Sequence, residues 1–580
     1  MTAQRRLDIR YGAAVAVVLA IALALRLWGD TSGLPWAYNV DEAQNFVPRA
    51  IAMLGGNLNP GYFNNPPLYT YLLAGLFEIA HGSGAGRIYH SADSTSIWLI
   101  ARVASAVLGT IGVWLLYLTG ARLFDRRTGL IASAVLAVAF LAVFYGKLAV
   151  NDSALLAPVC LSLWGSAGIL RDGRRRDYLI AGLGLGLAAA TKYTGGIVAL
   201  PLIVAACSRL SESGRRLLVA VWLPLGGLLA LAAFIAANPY AVADFHTFIN
   251  QLAHQSSESG EVNGKLGLTH GSGIVYYLWT LTWGVGWIPA IAAALGGVAL
   301  LLRRFWWTFA ALVPALVGFL IFMGSEGRYF GRWLMPVIPL VCLLAAFAAS
   351  AFAELAARGR GRIEAALAVL GAAALCVQGG AYSVHSGIVN SRPDTLSITR
   401  TWLLAHVAPD ARIVVEPVVP KAAKPPDNWT APWNAFTDLL THVGKRGILY
   451  VLAGKAVALE NYERTLSPKL VQLYLRDDYC WVVTGSTEEG RALADPGAVP
   501  KAIAYYRALA AAGHRVFQAS PLSGSRTDVG FNFDWSFDYY PLSYVRPGPL
   551  VTVYRLHGGG CGGTAKPHHR AVKPAHRPKR

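Results

Sequence analysis

The stretch PPLYTYLLAGLFEIA, Pro66 to Ala80, decides how the chain is threaded through a membrane. It is apolar, but it has only fifteen residues and opens with two prolines. A helix needs about 20 apolar residues to cross a bilayer, and proline disfavours the helix interior. We therefore predict a short helix that lies along the membrane surface. If the run crossed the membrane, every later segment would lie on the opposite side.

Runs that are long enough to cross a bilayer lie before and after this stretch. The chain is 54% hydrophobic and only 14% charged, which excludes an ordinary soluble domain. We predict an α-helical polytopic membrane protein with about eleven transmembrane helices. The predicted spans are 11–29, 97–120, 128–146, 153–170, 177–194, 196–208, 216–237, 283–302, 305–323, 333–353 and 363–382.

Arginine-rich loops set the orientation of these spans. If the N-terminus is cytoplasmic, so are the five basic loops ARLFDRR, RDGRRRD, SRLSESGRR, RRFW and ARGRGR, as the positive-inside rule requires. A crossing at 66–80 would place all five outside, so we reject it. The alternative of a signal peptide cleaved near 22–24 leaves the sides unchanged. The surplus of 51 basic over 32 acidic residues therefore reflects topology in the plasma membrane, and we predict no nucleic-acid partner.

The chain divides into three parts. We predict a transmembrane domain over 1–382, with interfacial helices in its first external loop at about 41–80. Short helical and β-rich runs such as DYCWVVTGS then indicate an external α/β domain over 390–556. Residues 557–580 are glycine-rich and then basic, which predicts a disordered tail. A disulfide between Cys480 and Cys561 is one reading of the two cysteines in this region.

Polar residues that are unusual for a membrane protein gather in the loops on the predicted external side. Ionisable groups against a membrane are costly, so a cluster on one face indicates a site. The positive-inside rule also predicts few external Lys or Arg. The residues concerned are Asp41, Glu42, Lys147, Asn151, Asp152, Lys192, Glu326, Arg328 and Arg332.

Each of these residues also has a purely structural interpretation. Asp41 and Gln44 have the spacing of a capping box, although Pro48 would kink that helix or mark its true start. Asp152 has the position of a cap on the fourth span. The cations Lys147, Lys192 and Arg332 could extend along the membrane interface as snorkelling side chains.

Acids and fixed cations together suit transfer of a sugar from a lipid phosphate. The phosphate gains negative charge as its bond to the sugar breaks, and Arg or Lys stabilises that charge. A carboxylate can accept the proton of the attacking hydroxyl. Aromatic residues of the interfacial stretch, Tyr62, Phe63, Tyr69 and Tyr71, would flank a prenyl chain and a sugar, or would simply pack at the membrane surface.

The order of these motifs resembles glycosyltransferase family 39, the protein O-mannosyltransferases and lipid A aminoarabinose transferases of the glycosyltransferase C superfamily. The pattern runs over about residues 10–380: an external DE pair, a PPL run, an ND turn, TKYTG, and Arg332 followed by Pro336 and Pro339. The family implies a polyprenyl-phosphate-linked sugar donor at the outer face. It also implies an inverting hexosyl or pentosyl transfer to a hydroxyl or phosphate of a glycan, lipid or protein.

The resemblance implies roles for individual residues. Asp41 falls at the catalytic carboxylate, Glu42 at its partner for the acceptor, a donor hydroxyl or a metal, and Asp152 at a second functional acid. The implied phosphate-binding residues are Lys192, Arg332, Arg328 and Lys147, and the implied pocket residues are Tyr38, Asn64, Asn65, Tyr69, Asn151 and Tyr193.

One departure from the family pattern concerns the sugar. Aminoarabinose transferases carry an acid and a lysine where this chain has Asn64 and Asn65. This argues against aminoarabinose as the sugar and against a zinc site. The sequence predicts no required cofactor and leaves open whether a divalent cation takes part.

Two other classes compete with the transferase. A secondary transporter or lipid flippase is favoured by the glycine content and by Arg26 and Arg102, which lie near or inside spans. A surface binding protein would need only one anchor span. Most of the unusual charges lie at external span ends and not at mid-membrane, so the sequence favours the transferase.

Overall fold

The chain forms two compact units. The computed structural model describes residues 3–39, 41–91, 93–212, 214–260, 272–327, 329–407, 411–416, 463–476, 478–524 and 542–558. The first unit comprises 1–392 with 428–432 and 532–547, and the second comprises 393–427, 433–531 and 548–580. The predicted runs at 439–454 and 559–580 lie outside the described residues.

The first unit is helical throughout its described part. Nineteen α-helices are separated by short π and 3₁₀ turns. The α-helices are α1 Ala3–Leu27, α2 Val47–Met53, α3 Leu68–His81, α4 Ala85–Tyr89, α5 Thr95–Leu123, α6 Arg126–Val138, α7 Phe140–Phe144, α8 Asn151–Ala154, α9 Leu156–Arg171, α10 Arg175–Thr191, α11 Ala199–Leu210, α12 Arg216–Ala236, α13 Tyr240–Ala243, α14 Phe245–Gly260, α15 Gly273–Leu281, α16 Trp287–Leu302, α17 Trp306–Ser325, α18 Ile338–Ala357 and α19 Gly361–Asn390.

A helix occupies each of the eleven predicted spans. Within the described residues, nine helical stretches are long and apolar enough to cross a membrane, and the pair α6 and α7, bent by 59°, makes ten if it is one span. The remaining predicted span, 177–194, is α10, whose 17 residues make it marginal for a crossing. The polytopic helical fold predicted from sequence is thus confirmed, with nine to ten spans by length in place of about eleven.

The apolar stretch from Pro66 to Ala80 contains a short helix. Helix α3 has 14 residues and buries one face, formed by Tyr69, Thr70, Leu73, Ala74 and Phe77. The opposite face is exposed, with Ile79 at 85%. A helix of this length is too short to cross a bilayer, and its location at the membrane surface stays a prediction.

A buried arginine donates to carbonyls at the bend between α6 and α7. The chain breaks at Ala139, and the break removes the intrahelical partners of the last carbonyls of α6. Arg26 is fully buried and donates to the carbonyls of Ala137 at 3.2 Å and Leu136 at 3.4 Å. Gly146 leaves room for the Arg26 side chain, because a Cβ on Gly146 would lie only 2.8 Å from it. Arg26, one of two residues that favoured a transporter, therefore has a structural role.

The basic loops meet at one end of the helix bundle. Arg122, at the end of α5, pairs with Asp177 at the start of α10 at 3.0 Å. Arg127 and Glu364 join the starts of α6 and α19 at 2.6 Å. Arg102 lies on α5 as well, 20 residues before Arg122, which is about 30 Å at 1.5 Å per residue. Arg102 and Arg122 are therefore separated along α5 by about the thickness of a bilayer core.

The second unit is a small α/β domain in its described part. Its helices are α20 Thr395–His406, α21 Pro468–Arg476, α22 Ser486–Ala494 and α23 Pro500–Ala512, and its strands are β1 Arg412–Val415, β2 Tyr479–Gly485, β3 Gly513–Ala519 and β4 Val551–Leu556. The sheet order is β1-β2-β4-β3, with β1 and β2 parallel and the other pairs antiparallel. Cys480 is disulfide-bonded, and Cys561 lies outside the described residues.

Candidate active site

The helix after α1 is capped by Asn39 and not by Asp41. The Asn39 side-chain oxygen accepts hydrogen bonds from the backbone N–H groups of Asp41 at 3.0 Å and Glu42 at 3.1 Å. The Asp41 side chain makes no capping bond to the π turn Glu42–Phe46 that follows. The capping-box interpretation is therefore wrong. Pro48 lies in the first turn of α2, so it marks the start of that helix.

Asp41 forms an ion pair with Arg332. The Arg332 Nη2 atom lies 3.2 Å from Asp41 Oδ2, and Asn45 donates to Asp41 Oδ1 at 3.2 Å. The guanidinium also lies over the ring of Phe330, 4.3 Å from its centroid. The Asp41 side chain is 29% exposed and that of Arg332 is 14% exposed. This carboxylate is fixed in place and is still accessible to a substrate.

Glu42 points away from Asp41 into the protein. Its carboxylate accepts two hydrogen bonds of 2.7 Å from Arg102 and one of 2.6 Å from the Ala149 backbone N–H. Arg102 also donates to the carbonyls of Asp30 and Ser32. Glu42 is 0% exposed. The geometry corrects the implied role of Glu42 in holding a substrate or a metal, because its oxygens are buried and already hydrogen-bonded. It also gives Arg102 a structural partner.

The surroundings of Lys147 argue against a role in phosphate binding. Its ammonium donates to the backbone carbonyls of Leu25 at 2.6 Å and of Trp28. These carbonyls lie at the end of α1 and lack intrahelical partners. The side chain is 1% exposed. Lys147 therefore neither snorkels nor faces a substrate, and it caps α1.

Asp152 and Lys192 form a second ion pair. Lys192 Nζ donates to Asp152 Oδ1. The Asp152 side chain makes no cap on α8, so the capping interpretation is wrong here too. Lys192 is 11% exposed and Asp152 is 3% exposed. An ammonium carries three N–H donors, and within the described residues the recorded partner of Lys192 is Asp152.

A chain of polar contacts links the two ion pairs. Arg49, one turn after Asn45, donates to the Asn45 carbonyl at 3.0 Å and lies 3.9 Å above the centre of the Tyr62 ring. Asn65 donates to the Tyr62 hydroxyl at 3.0 Å. Asn151 in turn donates to Asn65 at 3.4 Å and to the Thr191 carbonyl at 2.7 Å. Asn151 and Thr191 are the neighbours of Asp152 and Lys192 in sequence, so one network joins both pairs.

The remaining predicted pocket residues lie in different environments. Tyr69 is 1% exposed and its hydroxyl is bonded to Ser105 and the Ala101 carbonyl, so it lines the core and not a pocket. Tyr193 donates to the Phe63 carbonyl at 2.8 Å. Tyr38 and Asn64 are half-buried, and Arg328 lies outside the described residues.

Several residues of this network were missed from sequence. Asn39, Asn45 and Arg49 all lie close to Asp41 in the chain, and the i, i+4, i+8 spacing of Asp41, Asn45 and Arg49 was a signal that they share a helix face. The pairing of Glu42 with Arg102, 60 residues away, had no such signal. Among the described residues, no group of three His, Cys, Asp or Glu is arranged to hold a metal ion.

A solved structure has a fold similar to that of this chain. The archaeal oligosaccharyltransferase AglB from Archaeoglobus fulgidus, in complex with an inhibitory peptide and a dolichol-phosphate, superposes with a TM-score of 0.51 over 89% of this chain and 73% of that chain, at 13% identity. The fold of this chain is therefore similar to that of this archaeal oligosaccharyltransferase.

Part of the chain also matches a known protein family. Residues 64–239 match the dolichyl-phosphate-mannose-protein mannosyltransferase family. The resemblance to glycosyltransferase family 39 of the glycosyltransferase C superfamily is thus confirmed. A comparison with curated proteins finds no match.

Two further solved structures are similar at lower scores. ArnT from Cupriavidus metallidurans bound to undecaprenyl phosphate has a TM-score of 0.46 and 13% identity over 95% of this chain and 98% of that chain. The S. cerevisiae protein O-mannosyltransferase Pmt1-Pmt2 complex bound to the sugar donor has a TM-score of 0.34 and 21% identity over 41% of this chain and 34% of that chain.

Proposed function

We propose that this chain is a membrane glycosyltransferase that moves a sugar from a polyprenyl-phosphate donor to a hydroxyl or phosphate acceptor at the outer face of the membrane, with Asp41 as general base. The observation that carries the proposal is the pair of Asp41 and Arg332, a partly exposed carboxylate beside a fixed guanidinium. The matching family is named for a dolichyl-phosphate-linked sugar donor, and the similar archaeal enzyme is in complex with a dolichol-phosphate.

The position of the site within the bundle supports an outer-face reaction. Arg102, which holds Glu42 beside the site, lies near one end of α5, and Arg122 among the basic loops lies near the other. Basic loops face the cytoplasm, so the site faces the opposite side. The disulfide at Cys480 fits an oxidising compartment for the second unit.

Asp41 and Arg332 would divide the chemistry between them. The acceptor hydroxyl loses its proton to an Asp41 oxygen as its own oxygen attacks the anomeric carbon. The bond from that carbon to the phosphate oxygen breaks, its electron pair stays on the phosphate, and the configuration inverts in this single displacement. Arg332 stabilises the charge that grows on the phosphate. A donor phosphate would also draw Arg332 away from Asp41 and leave the carboxylate oxygens open to the acceptor hydroxyl.

Lys192 would bind the same phosphate. Its ammonium is held by Asp152 and is partly exposed, so it can bind an anion through its other N–H groups. Asp152 would act on the donor through Lys192, by orienting the ammonium. Asn65, Asn151 and Tyr62, which join the two ion pairs, are uncharged hydrogen-bonding groups suited to sugar hydroxyls.

A transfer assay tests this proposal. Purified protein is given short-chain polyprenyl phosphates carrying different radiolabelled neutral and amino sugars, and the label that leaves the lipid is counted. Asp41→Asn should lower turnover by roughly 10² to 10⁴, the usual contribution of a general base. Arg332→Ala should raise the donor Kd. Release of label by Asp41→Asn at the wild-type rate would remove Asp41 from the chemistry.

A further inference from the structure

The segment between the two ion pairs is held by a helix that the proposed mechanism does not use. Residues 62–65 carry Tyr62, which contacts Arg49, and Asn65, which contacts Asn151. Between them lies Phe63, whose ring is fully buried. The position of Phe63 therefore sets where both neighbouring side chains point.

Three contacts fix Phe63. Its backbone N–H donates to Gln251 Oε1 at 2.6 Å, and its carbonyl accepts from the Tyr193 hydroxyl at 2.8 Å. The ring of Phe248 meets the Phe63 ring edge to face, with centroids 5.7 Å apart, and also contacts Tyr193 at 6.4 Å. These contacts form the Phe63 clasp, which comprises Gln251, Tyr193 and Phe248.

Helix α14 supplies two of the three clasp residues. Gln251 and Phe248 lie three residues apart on α14, so they share one face of the helix. The Gln251 amide is used at both ends, because its Nε2 donates to the Gly61 carbonyl at 3.1 Å. Asp244, just before α14, also accepts from Asn59 at 3.1 Å. Helix α14 and the residue before it are thus hydrogen-bonded to Asn59, Gly61 and Phe63.

We infer that Gln251 is a positioning residue for the proposed reaction. It acts through Phe63, by keeping Tyr62 and Asn65 in the network that joins the pair of Asp41 and Arg332 to the pair of Asp152 and Lys192. The inference rests on the proposed function, since the network matters for catalysis only if sugar and phosphate lie between the pairs. Reactions of this kind depend on the alignment of the reacting groups, and a misplacement of about 1 Å costs on the order of 100-fold in rate.

Three variants test the role of Gln251 by rate. Gln251→Met keeps the length of the side chain and removes both hydrogen bonds, whereas Gln251→Glu keeps an acceptor for the Phe63 N–H. The control is Asn250→Met, because Asn250 is exposed on the same helix and contacts His246 one turn away. We expect kcat to fall about 10- to 100-fold in Gln251→Met, with the donor KM within about threefold. Gln251→Glu should recover part of the loss, and Asn250→Met should match the wild type.

Hydrogen exchange separates the clasp from the reaction. Exchange of the peptide that covers 57–65 should become at least about tenfold faster in Gln251→Met, since the Phe63 amide loses its acceptor. Unchanged exchange there, or an unchanged kcat, would overturn the inference. A wild type that transfers no sugar would instead overturn the proposed function, while the exchange result would still decide whether Gln251 holds the segment.

Discussion

Replacing Glu42 should damage the fold and not the chemistry itself. The Glu42 carboxylate is 0% exposed and accepts three hydrogen bonds of 2.6 to 2.7 Å, two of them from Arg102. Glu42→Gln leaves the Arg102 charge buried without a counter-ion. Breaking a buried pair in this way costs about 3–5 kcal/mol, which is a factor of roughly 10² to 5 × 10³ in the unfolding equilibrium. Asp41→Asn, at the adjacent and partly exposed position, should cost less than about 1 kcal/mol.

The assay is thermal unfolding of the detergent-purified protein, followed by tryptophan fluorescence, for a double-mutant cycle. The variants are Glu42→Gln, Arg102→Met and the two combined. Each single change leaves the other side chain buried without its ion-pair partner. The double variant should therefore lose less stability than the two single losses added together. If Glu42→Gln unfolds like the wild type and yet transfers no sugar, the structural role given to Glu42 is wrong and it belongs to the chemistry.

Three further changes separate the roles of the charged groups. Lys147→Met should lower the unfolding temperature, since two carbonyls at the end of α1 lose their hydrogen-bond donor. It should leave the Kd of the sugar donor unchanged. A weaker affinity for the sugar donor in the folded variant would return Lys147 to the phosphate site. Lys192→Met should raise the Kd of the sugar donor about tenfold or more, which is the loss expected for a charge-assisted hydrogen bond. Titration with a fluorescent polyprenyl phosphate measures this Kd. An unchanged Kd would limit Lys192 to its pairing with Asp152. The second unit should become less stable as the pH rises from about 4.5 to 7. Burial raises the pKa of Glu463 and of Glu488 to about 7. In this pH range the folded state therefore holds protons that the unfolded state has released, and this contribution to stability is lost as the pH rises. Hydrogen exchange of residues 468–494 at pH 5 and pH 8 measures this, and slower exchange at pH 8, after correction for the intrinsic pH dependence, would contradict it.

The helical spans could be predicted from sequence because run length and apolar composition determine them directly. Each predicted span contains a helix, and the short run at 66–80 is the short helix α3. The bend at Ala139 could not be predicted, since neither Pro nor Gly marks it and the free carbonyls are bonded by Arg26, more than 100 residues earlier. The span predicted at 333–353 begins at Ile338, because a 3₁₀ turn over Gly331–Leu334 precedes it.

The composition of the site was predicted better than its internal pairing. Asp41 with Arg332 and Asp152 with Lys192 come from the predicted set. Sequence could not tell which of the adjacent acids Asp41 and Glu42 faces the core, because neighbouring helical residues point about 100° apart and the burial of each depends on distant partners. The hydrogen bond from the Phe63 N–H to Gln251 spans 188 residues and leaves no local pattern.

The most direct test of the account is native mass spectrometry of the wild type and Asp41→Asn, purified in detergent, to identify bound prenyl-phosphate lipid. We expect Asp41→Asn to retain an intact sugar-phosphate lipid and the wild type to retain the bare lipid phosphate or nothing, and the mass difference would identify the class of sugar. If both proteins are folded and neither carries such a lipid, the proposal of a polyprenyl-phosphate donor is wrong. If Asp41→Asn carries only the bare lipid phosphate, as a turned-over wild type would, Asp41 is not the base.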